Sequence, residues 1–390
     1  MNINRRTLLG ASAAAFGITG FAGMGLAQSQ KSSSRLKSTP LADGFRMPGE
    51  FENHEAIWLV WPEAPEWRLK GELAEGVIAK LAAAIASDIP VRLAATSRQA
   101  ARVRSLVPEA VEVVEMNAGT NWVRDDGPTF LIDDKNGRRG VDWVFNGWGY
   151  PEDFWDTNKT ARKLLKHEEA HRYRAPLVLE GGSIHSDGRG TIITTEECLL
   201  NPNRNPDLSR EEIEEYLKIY LGARKVIWLP FGVFEDSTSG HVDNMCCFAR
   251  PSEVILTWTD DLSDAQYERS QLALEVLETS TDADGNKFKV HKLHQPGPLF
   301  ITDEEADSMP DSRIDEIEDR LAGSYVNYII TNRRVVFPLL DPETDPGARE
   351  TLERAFPDRE VFGVEGREIL LHGGNFHCIS QNLPARAGRN

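Results

Sequence analysis

The chain is poor in cationic side chains, in cysteine and in long apolar runs, and each shortage closes off a class of function. Of its 390 residues, 44 are Lys or Arg against 61 Asp or Glu, a formal net charge of −17. Nucleic-acid binding normally needs a basic face, so that class is set aside. The same acidity suits a cationic small-molecule partner, or serves solubility alone. Four cysteines occur, Cys198, Cys246, Cys247 and Cys378. None forms a CxxC pair and no Cys/His spacing resembles a zinc site, so no metal and no cofactor is expected. Cys246 and Cys247, adjacent on a strand, would point to opposite faces and not pair with each other. Beyond the N-terminus no stretch is long and apolar enough to cross a bilayer, and stable membrane insertion is not expected. With 40% hydrophobic residues the chain can still build one large domain or two modest ones.

The N-terminus reads as a separate object. Asn4-Arg5-Arg6-Thr7-Leu8-Leu9 is a twin-arginine pattern, and an Ala/Gly-rich apolar run follows to Ala27. Gly25-Leu26-Ala27 offers a small-x-small cleavage site. Residues 1–27 are therefore expected to be a signal peptide for the twin-arginine translocase, which would carry the folded protein to the periplasm or outside the cell. An uncleaved anchor is the alternative, for which the Ala and Gly content is poor. Residues 28–40, with Ser32-Ser33-Ser34, read as a flexible linker, and 41–390 as a single domain.

Within that domain strand and helix patterns alternate. Ala56 to Pro62, Val91 to Ala95, Val111 to Glu115, Ala175 to Glu180, Gly190 to Thr195, Lys225 to Leu229 and Glu253 to Thr257 read as strands. Tyr325 to Thr331 and Arg334 to Pro338 read as a hairpin, and Glu368 to Leu371 as a closing strand. Gly71 to Ser87, Ala265 to Leu277 and Ala348 to Ala355 read as helices. Another begins at Ser209, with a capping-box partner at Glu212 and one apolar face of Ile213, Tyr216, Leu217, Tyr220 and Leu221. Strand ends followed by Gly, Asn or Pro recur near residues 61, 125, 181, 242, 326 and 375. Their spacing of roughly sixty to seventy residues hints at about five strand–helix modules. An open doubly wound sheet would give the same alternation.

Those strand ends carry the chemistry. Cys378 follows Gly373-Gly374-Asn375, where paired glycines let a substrate approach a thiolate nucleophile. Asp125 lies in Trp122-Val123-Arg124-Asp125-Asp126-Gly127-Pro128, and Asp243 in Gly240-His241-Val242-Asp243-Asn244. Two carboxylates facing one pocket would repel, unless a planar cation with forked donors sat between them. A guanidinium group meets that need and presents its carbon to Cys378. His241, two residues from Asp243 and on the same face if the segment is a strand, can move a proton. Each residue alone also has a plainer reading. Asp125 can be a turn residue, Trp122 core, Glu180 a solvated strand end, and Asn201 to Pro206 a rigid loop. Trp61, Trp122 and Trp148 are candidates to line the pocket.

Taken together these stretches resemble the agmatine deiminases of the pentein-type, guanidine-modifying superfamily. Trp122-x-Arg124-Asp125-x-Gly127-Pro128, Glu180-Gly181-Gly182, Asn201-Pro-Asn-Arg-Asn-Pro206, Gly240-His241-Val-Asp243-Asn244 and Gly373-Gly374-Asn375-x-His377-Cys378 occur in the family's order. The resemblance implies a five-module pseudosymmetric α/β propeller with the site at its centre. It implies Cys378 as nucleophile, His241 as general acid and base, Glu180 as the carboxylate orienting His241, and Asp125, Asp243 and Trp122 as substrate contacts. The implied reaction is hydrolytic deimination of agmatine to N-carbamoylputrescine and ammonia through a thiouronium adduct. Two positions depart from the pattern: Ser237 replaces an acid, and His372 replaces a glycine. Arginine or peptidyl-arginine therefore stays open as the substrate, with Arg204 or His372 to meet a carboxylate. A periplasmic guanidine-binding protein without turnover and assembly into a homo-oligomer also stay open.

Overall fold

A computed structural model describes residues 35–63, 67–150, 159–310 and 320–386. The expected signal peptide and most of the linker lie outside the described residues. In chain order the strands are β1 (His54–Val60), β2 (Val91–Ala95), β3 (Val111–Glu115), β4 (Thr129–Ile132), β5 (Arg138–Val144) and β6 (His171–Val178). There follow β7 (Ile184–Ser186), β8 (Thr191–Thr195), β9 (Lys225–Leu229), β10 (Cys246–Arg250), β11 (Glu253–Trp258) and β12 (Lys289–His294). A minor hairpin, β13 (Leu299–Phe300) with β14 (Arg320–Leu321), precedes β15 (Ile329–Ile330), β16 (Arg334–Leu339), β17 (Glu360–Glu365) and β18 (Ser380–Pro384).

The strands form a mixed α/β fold of separate small sheets, not one doubly wound sheet. Five of the sheets share one pattern, an antiparallel pair extended by a parallel neighbour. A parallel neighbour needs a crossover, and a helix fills each one. The crossover helices are Glu72–Ala86 and Ala100–Leu106 in the four-stranded first sheet, and Thr160–His167, Arg210–Leu221, Gln266–Thr279 and Asp345–Ala355 in the others. β18 returns to the first sheet, with Trp58 of β1 opposite Gln381. This long-range pairing brings the C-terminal segment back beside the N-terminal strand. No sheet closes on itself among the described residues.

Local sequence accounts for most of these elements. The helix Arg210–Leu221 starts with the reciprocal Ser209–Glu212 capping box, buries Ile213, Leu217 and Leu221, and ends at Gly222 with φ 72°. The helix Glu72–Ala86 buries Ile78, Leu81, Ala82 and Ile85 against Ile57, Leu59 and Leu93 of β1 and β2. Cys246 and Cys247 do face opposite sides of β10, in different core clusters, and all four cysteines are free. The expected closing strand at Glu368–Leu371 is instead a short helix, Arg367–Leu370. A brief apolar run fits either buried form, and here Gly366 caps a helical turn that Gly373, with φ 95°, follows. Of the expected hairpin, only Ile329–Ile330 pairs with β16.

One buried carboxyl pins the loop that leads into the site. Asp126 Oδ2 accepts hydrogen bonds from Thr120 N at 3.3 Å, Thr120 Oγ1 at 3.2 Å and Thr160 Oγ1 at 2.8 Å. Burial, with Asp125 next door, outweighs these bonds and raises its pKa from 3.8 to about 8. The native state therefore holds a proton that the unfolded chain loses, and its stabilisation declines as pH rises from the unfolded value to the folded one. Asp126→Asn, neutral in both states, should gain in Tm relative to the wild type between pH 5 and 8. Thermal melts of both proteins across that range test this, and a gap that stays flat or narrows would refute it.

Candidate active site

A glycine without room for a side chain marks the centre of the site. A Cβ built on Gly182 would lie 2.6 Å from His241 Nδ1, 2.8 Å from Asp243 Oδ2 and 2.9 Å from Asp125 Oδ1. Three polar atoms from two loops thus converge on a glycine of a third. The nucleophile candidate is beside them, with Cys378 Sγ 3.6 Å from Asp243 Oδ2. A Cβ on Gly374 would meet Trp122 Cζ3 at 2.5 Å and Cys378 Sγ at 3.2 Å, so the indole packs over the cysteine loop.

Each side chain is delivered by a short turn at the end of a sheet. Asp125 sits in the turn Val123–Asp126 ahead of β4. Its Oδ1 accepts from Gly182 N at 3.0 Å and its Oδ2 from Trp148 Nε1 at 2.9 Å. Glu180 follows β6, and the 3-10 turn Gly181–Ser183 begins after it. His241 is not on a strand. It precedes the turn Val242–Met245, which carries Asp243, and its backbone N–H is held by Thr238 Oγ1 at 3.2 Å. Extended φ and ψ at His241, then helical geometry at Asp243, aim both side chains at Gly182 where an alternating strand was expected to do so. His241, Asp243 and Glu180 are fully buried, and Cys378 is 2% exposed.

Burial makes these charges interdependent. It raises the Asp125 pKa from 3.8 to about 6, helped by Asp243 and Glu180 and opposed by His241 and Trp148. Burial acts upward on Asp243 too, but His377, His241 and Arg124 outweigh it and hold that carboxyl below its ordinary value. On His241 burial acts downward, yet Asp125, Cys198 and Glu180 prevail and hold the imidazole well above its usual range. The Cys378 thiol is pushed well up by burial, Asp243 and Asp125. His241 Nδ1 lies 3.8 Å from Asp125 Oδ1 and Nε2 lies 3.9 Å from Glu180 Oε2. The arrangement is a protonated imidazole and a thiol around two carboxylates, able to receive a flat cation.

Sequence reasoning overlooked much of the support. Arg204, a candidate to meet a substrate carboxylate, is instead committed to Glu180, with Nε 2.6 Å from Oε1 and Nη2 2.7 Å from Thr238 O. His372 packs on Trp67, ring centroids 4.3 Å apart, beside Glu368. Trp61 belongs to the core and bonds Glu75, whereas Trp148 reaches the site. Trp148 has φ 57°, rare for a bulky residue, and its indole is what binds Asp125. Asn327 donates to Cys378 Sγ at 3.1 Å, and its segment was read only as part of the expected hairpin, with a strand end near 326. His377 was within a recognised stretch but without a role, and Glu50 was assigned none. Asp236, next to the missing acid at Ser237, bonds Thr238 and Asn244 within its own loop.

Two buried clusters could in principle hold a metal: Glu50, His185 and His377, and Glu180, Cys198 and His241. An arginine is paired to the carboxylate of each, Arg124 to Glu50 and Arg204 to Glu180. The carboxylates therefore already have their counter-charge.

The geometry yields two expectations. Gly182→Ala puts a methyl where the three polar atoms meet, and should lower kcat/KM at least about 100-fold with the fold retained by circular dichroism. Activity near that of wild type would remove Gly182 from the centre of the site. For a guanidinium substrate, kcat/KM should fall as pH drops through about 6, because a protonated Asp125 no longer attracts the cation. A profile flat from pH 5 to 8 would contradict this.

Comparison with known proteins matches this architecture. Residues 46–384 match the model of the Porphyromonas-type peptidyl-arginine deiminase family. A Shewanella baltica protein named as an agmatine deiminase is 49% identical over 361 residues, covering 90% of this chain and 97% of its own. The solved agmatine deiminase of Enterococcus faecalis is 40% identical with a TM-score of 0.83, covering 90% of this chain and 99% of its own. A Campylobacter jejuni agmatine deiminase with substrate bound is 25% identical with a TM-score of 0.77, covering 88% and 97%. The chain thus belongs to the Porphyromonas-type peptidyl-arginine deiminase family and, like its agmatine deiminase relatives, is a hydrolase of C–N bonds.

Proposed function

We propose that this chain hydrolyses agmatine to N-carbamoylputrescine and ammonia, with Cys378 as nucleophile. The observation that carries the reading is the convergence of Cys378 Sγ, Asp125, Asp243 and His241 around Gly182. Asp125 and Asp243 clamp the guanidinium between them, with Trp122 against the cysteine loop. Binding of the cation offsets the two carboxylates that raise the thiol pKa, so the thiol loses its proton to solvent as substrate enters. The thiolate attacks the guanidinium carbon and gives a neutral tetrahedral adduct. The His241 imidazolium gives its proton to one amino group, ammonia leaves, and a cationic thiouronium remains on Cys378. Neutral His241 then takes a proton from water, whose hydroxide attacks the same carbon. The C–S bond breaks, the thiolate returns, and the protonated carbamoyl product loses its extra proton to ammonia. Glu180, fixed by Arg204, orients and stabilises His241 throughout.

Agmatine is favoured over arginine because the cations nearest the site are already paired. Arg204 is held by Glu180 and Arg124 by Glu50, so neither offers itself to an α-carboxylate. The agmatine deiminase names of the relatives point the same way. The five similar sheets are proposed to stand around the site as five modules of a propeller. Residues 1–27 are proposed to export the folded enzyme by the twin-arginine route. Replacing Arg5-Arg6 by Lys-Lys should leave the protein in the cytoplasmic fraction, and unchanged export would refute that part.

Ammonia release from agmatine, arginine, a blocked arginine peptide and guanidinobutyrate should place agmatine first, by at least about tenfold in kcat/KM over arginine. Cys378→Ala should lose at least about 1,000-fold with agmatine while still binding it. Faster turnover of arginine or the peptide would reassign the substrate. Turnover surviving in the alanine variant would end the covalent mechanism.

A further inference from the structure

The histidine directly before the nucleophile lies in the middle of a buried chain of alternating charge. His377 Nδ1 is 2.7 Å from Asp243 Oδ2, and its Nε2 is 2.9 Å from Glu50 Oε2. Glu50 Oε1 in turn accepts from Arg124 Nη1 at 2.7 Å. All of these groups are buried, and His377 itself is 1% exposed. A ring bonded by carboxylates at both nitrogens must donate at both, which only the imidazolium does. The Cys378 sulfur approaches the same Asp243 oxygen that His377 holds. Asp243 Oδ1, by contrast, accepts no hydrogen bond from the described residues.

We infer that His377 is a positioning residue for the deimination: a permanent imidazolium that holds Asp243 ionised and fixes its Oδ2 beside Gly182 and Cys378, with Oδ1 left to accept a further donor. This rests on the reading of Asp243 as a guanidinium ligand. Without a fixed cation, two bare carboxylates and an incoming thiolate would share one buried space. His377 neutralises one of them through Oδ2 and leaves its Oδ1 without a donor among the described residues. The remaining charge is then matched to a singly charged guanidinium.

The surroundings support that balance from every side. Glu50 and Arg124 face His377 from the segment before β1 and from the turn Val123–Asp126. His185 of β7 lies with its ring centroid 6.0 Å away. Its Nδ1 accepts from Phe248 N at 3.2 Å, and burial pulls its pKa to about 4, so it adds no charge near neutrality. Asp243, Asp125 and His241 lie on the substrate side, and the Cys247 sulfur rests 3.8 Å from Asp243 O. Burial acts downward on His377 and Arg124 adds to it, but Glu50 and Asp243 together hold the ring above its ordinary value. Two cations, Arg124 and His377, thus answer two anions, Glu50 and Asp243.

The test is His377→Gln, which keeps hydrogen-bonding capacity without the charge. Asp243 then titrates higher, and the acid limb of kcat/KM for agmatine should move up by at least about one pH unit. Alkylation of Cys378 by iodoacetamide in the substrate-free enzyme, followed by mass spectrometry, should also shift to higher pH. That readout needs no turnover, so it judges His377 even if agmatine proves not to be the substrate. A uniform loss of activity and Tm, with both pH profiles unmoved, would reduce His377 to a structural residue and overturn the inference. Should the variant not fold, nitrogen-15 NMR of histidine in the wild type decides. His377 should stay an imidazolium from pH 6 to 8, and a neutral ring in that range would refute the proposal.

Discussion

The structure depends on keeping carboxylates ionised where water does not reach. Burial alone would neutralise Asp125, Asp243, Glu180 and Glu50, since a lone buried carboxylate takes up a proton instead of bearing its charge. The protein resolves this unevenly. Glu180 has Arg204, Glu50 has Arg124, and Asp243 has His377. Asp125 has only neutral donors, Gly182 N and Trp148 Nε1, with His241 further off, and it is the carboxyl whose pKa climbs to about 6. One carboxylate is thus left under-compensated on the side where a cation would enter. The site's affinity for positive charge is built into that imbalance.

The fold supplies this arrangement through repetition. Each of the five similar sheets ends in a short turn or loop, and the polar side chains sit on those ends and not within the strands. Asp125, Glu180, Asp243 and Cys378 each arrive from a different connection. The antiparallel return of β18 to β1 places the cysteine loop against the turn of Arg124, whose backbone N–H donates to Cys378 O at 3.2 Å. Arg124 then binds Glu50, Asn382 and the carbonyl of His377 with its guanidinium, so the Cys378 loop is tied to the segment before β1 and to β18. Glycine at 182 and 374 removes the side chains that would otherwise fill the meeting point.

Legibility in the sequence followed the range of the interactions. The Ser209 capping box, the apolar face of its helix and strands such as Val91–Ala95 and Lys225–Leu229 are local, and they were readable to within a residue. The segment Glu368–Leu371 was misread because an apolar run of that length carries no period that separates strand from helix. His241 and Asp243 were brought together for a mistaken reason, since the backbone turns between them instead of alternating. Arg204 stood as a candidate to meet a substrate carboxylate because its partner, Glu180, lies 24 positions away and no local pattern links them.

The amino-acid sequence by itself determined the reactive types and their loops: one cysteine behind two glycines, a histidine and an aspartate in a second loop, an aspartate in a third. Only the tertiary structure decided which partner each charge would have. Nothing local names the partners of His377, Asn327 and Trp148, and each gains its place from a contact with a residue distant in the chain. The physical reason is that desolvation depends on what surrounds a group in space. A carboxylate's charge in this protein is set by neighbours that chain order does not reveal.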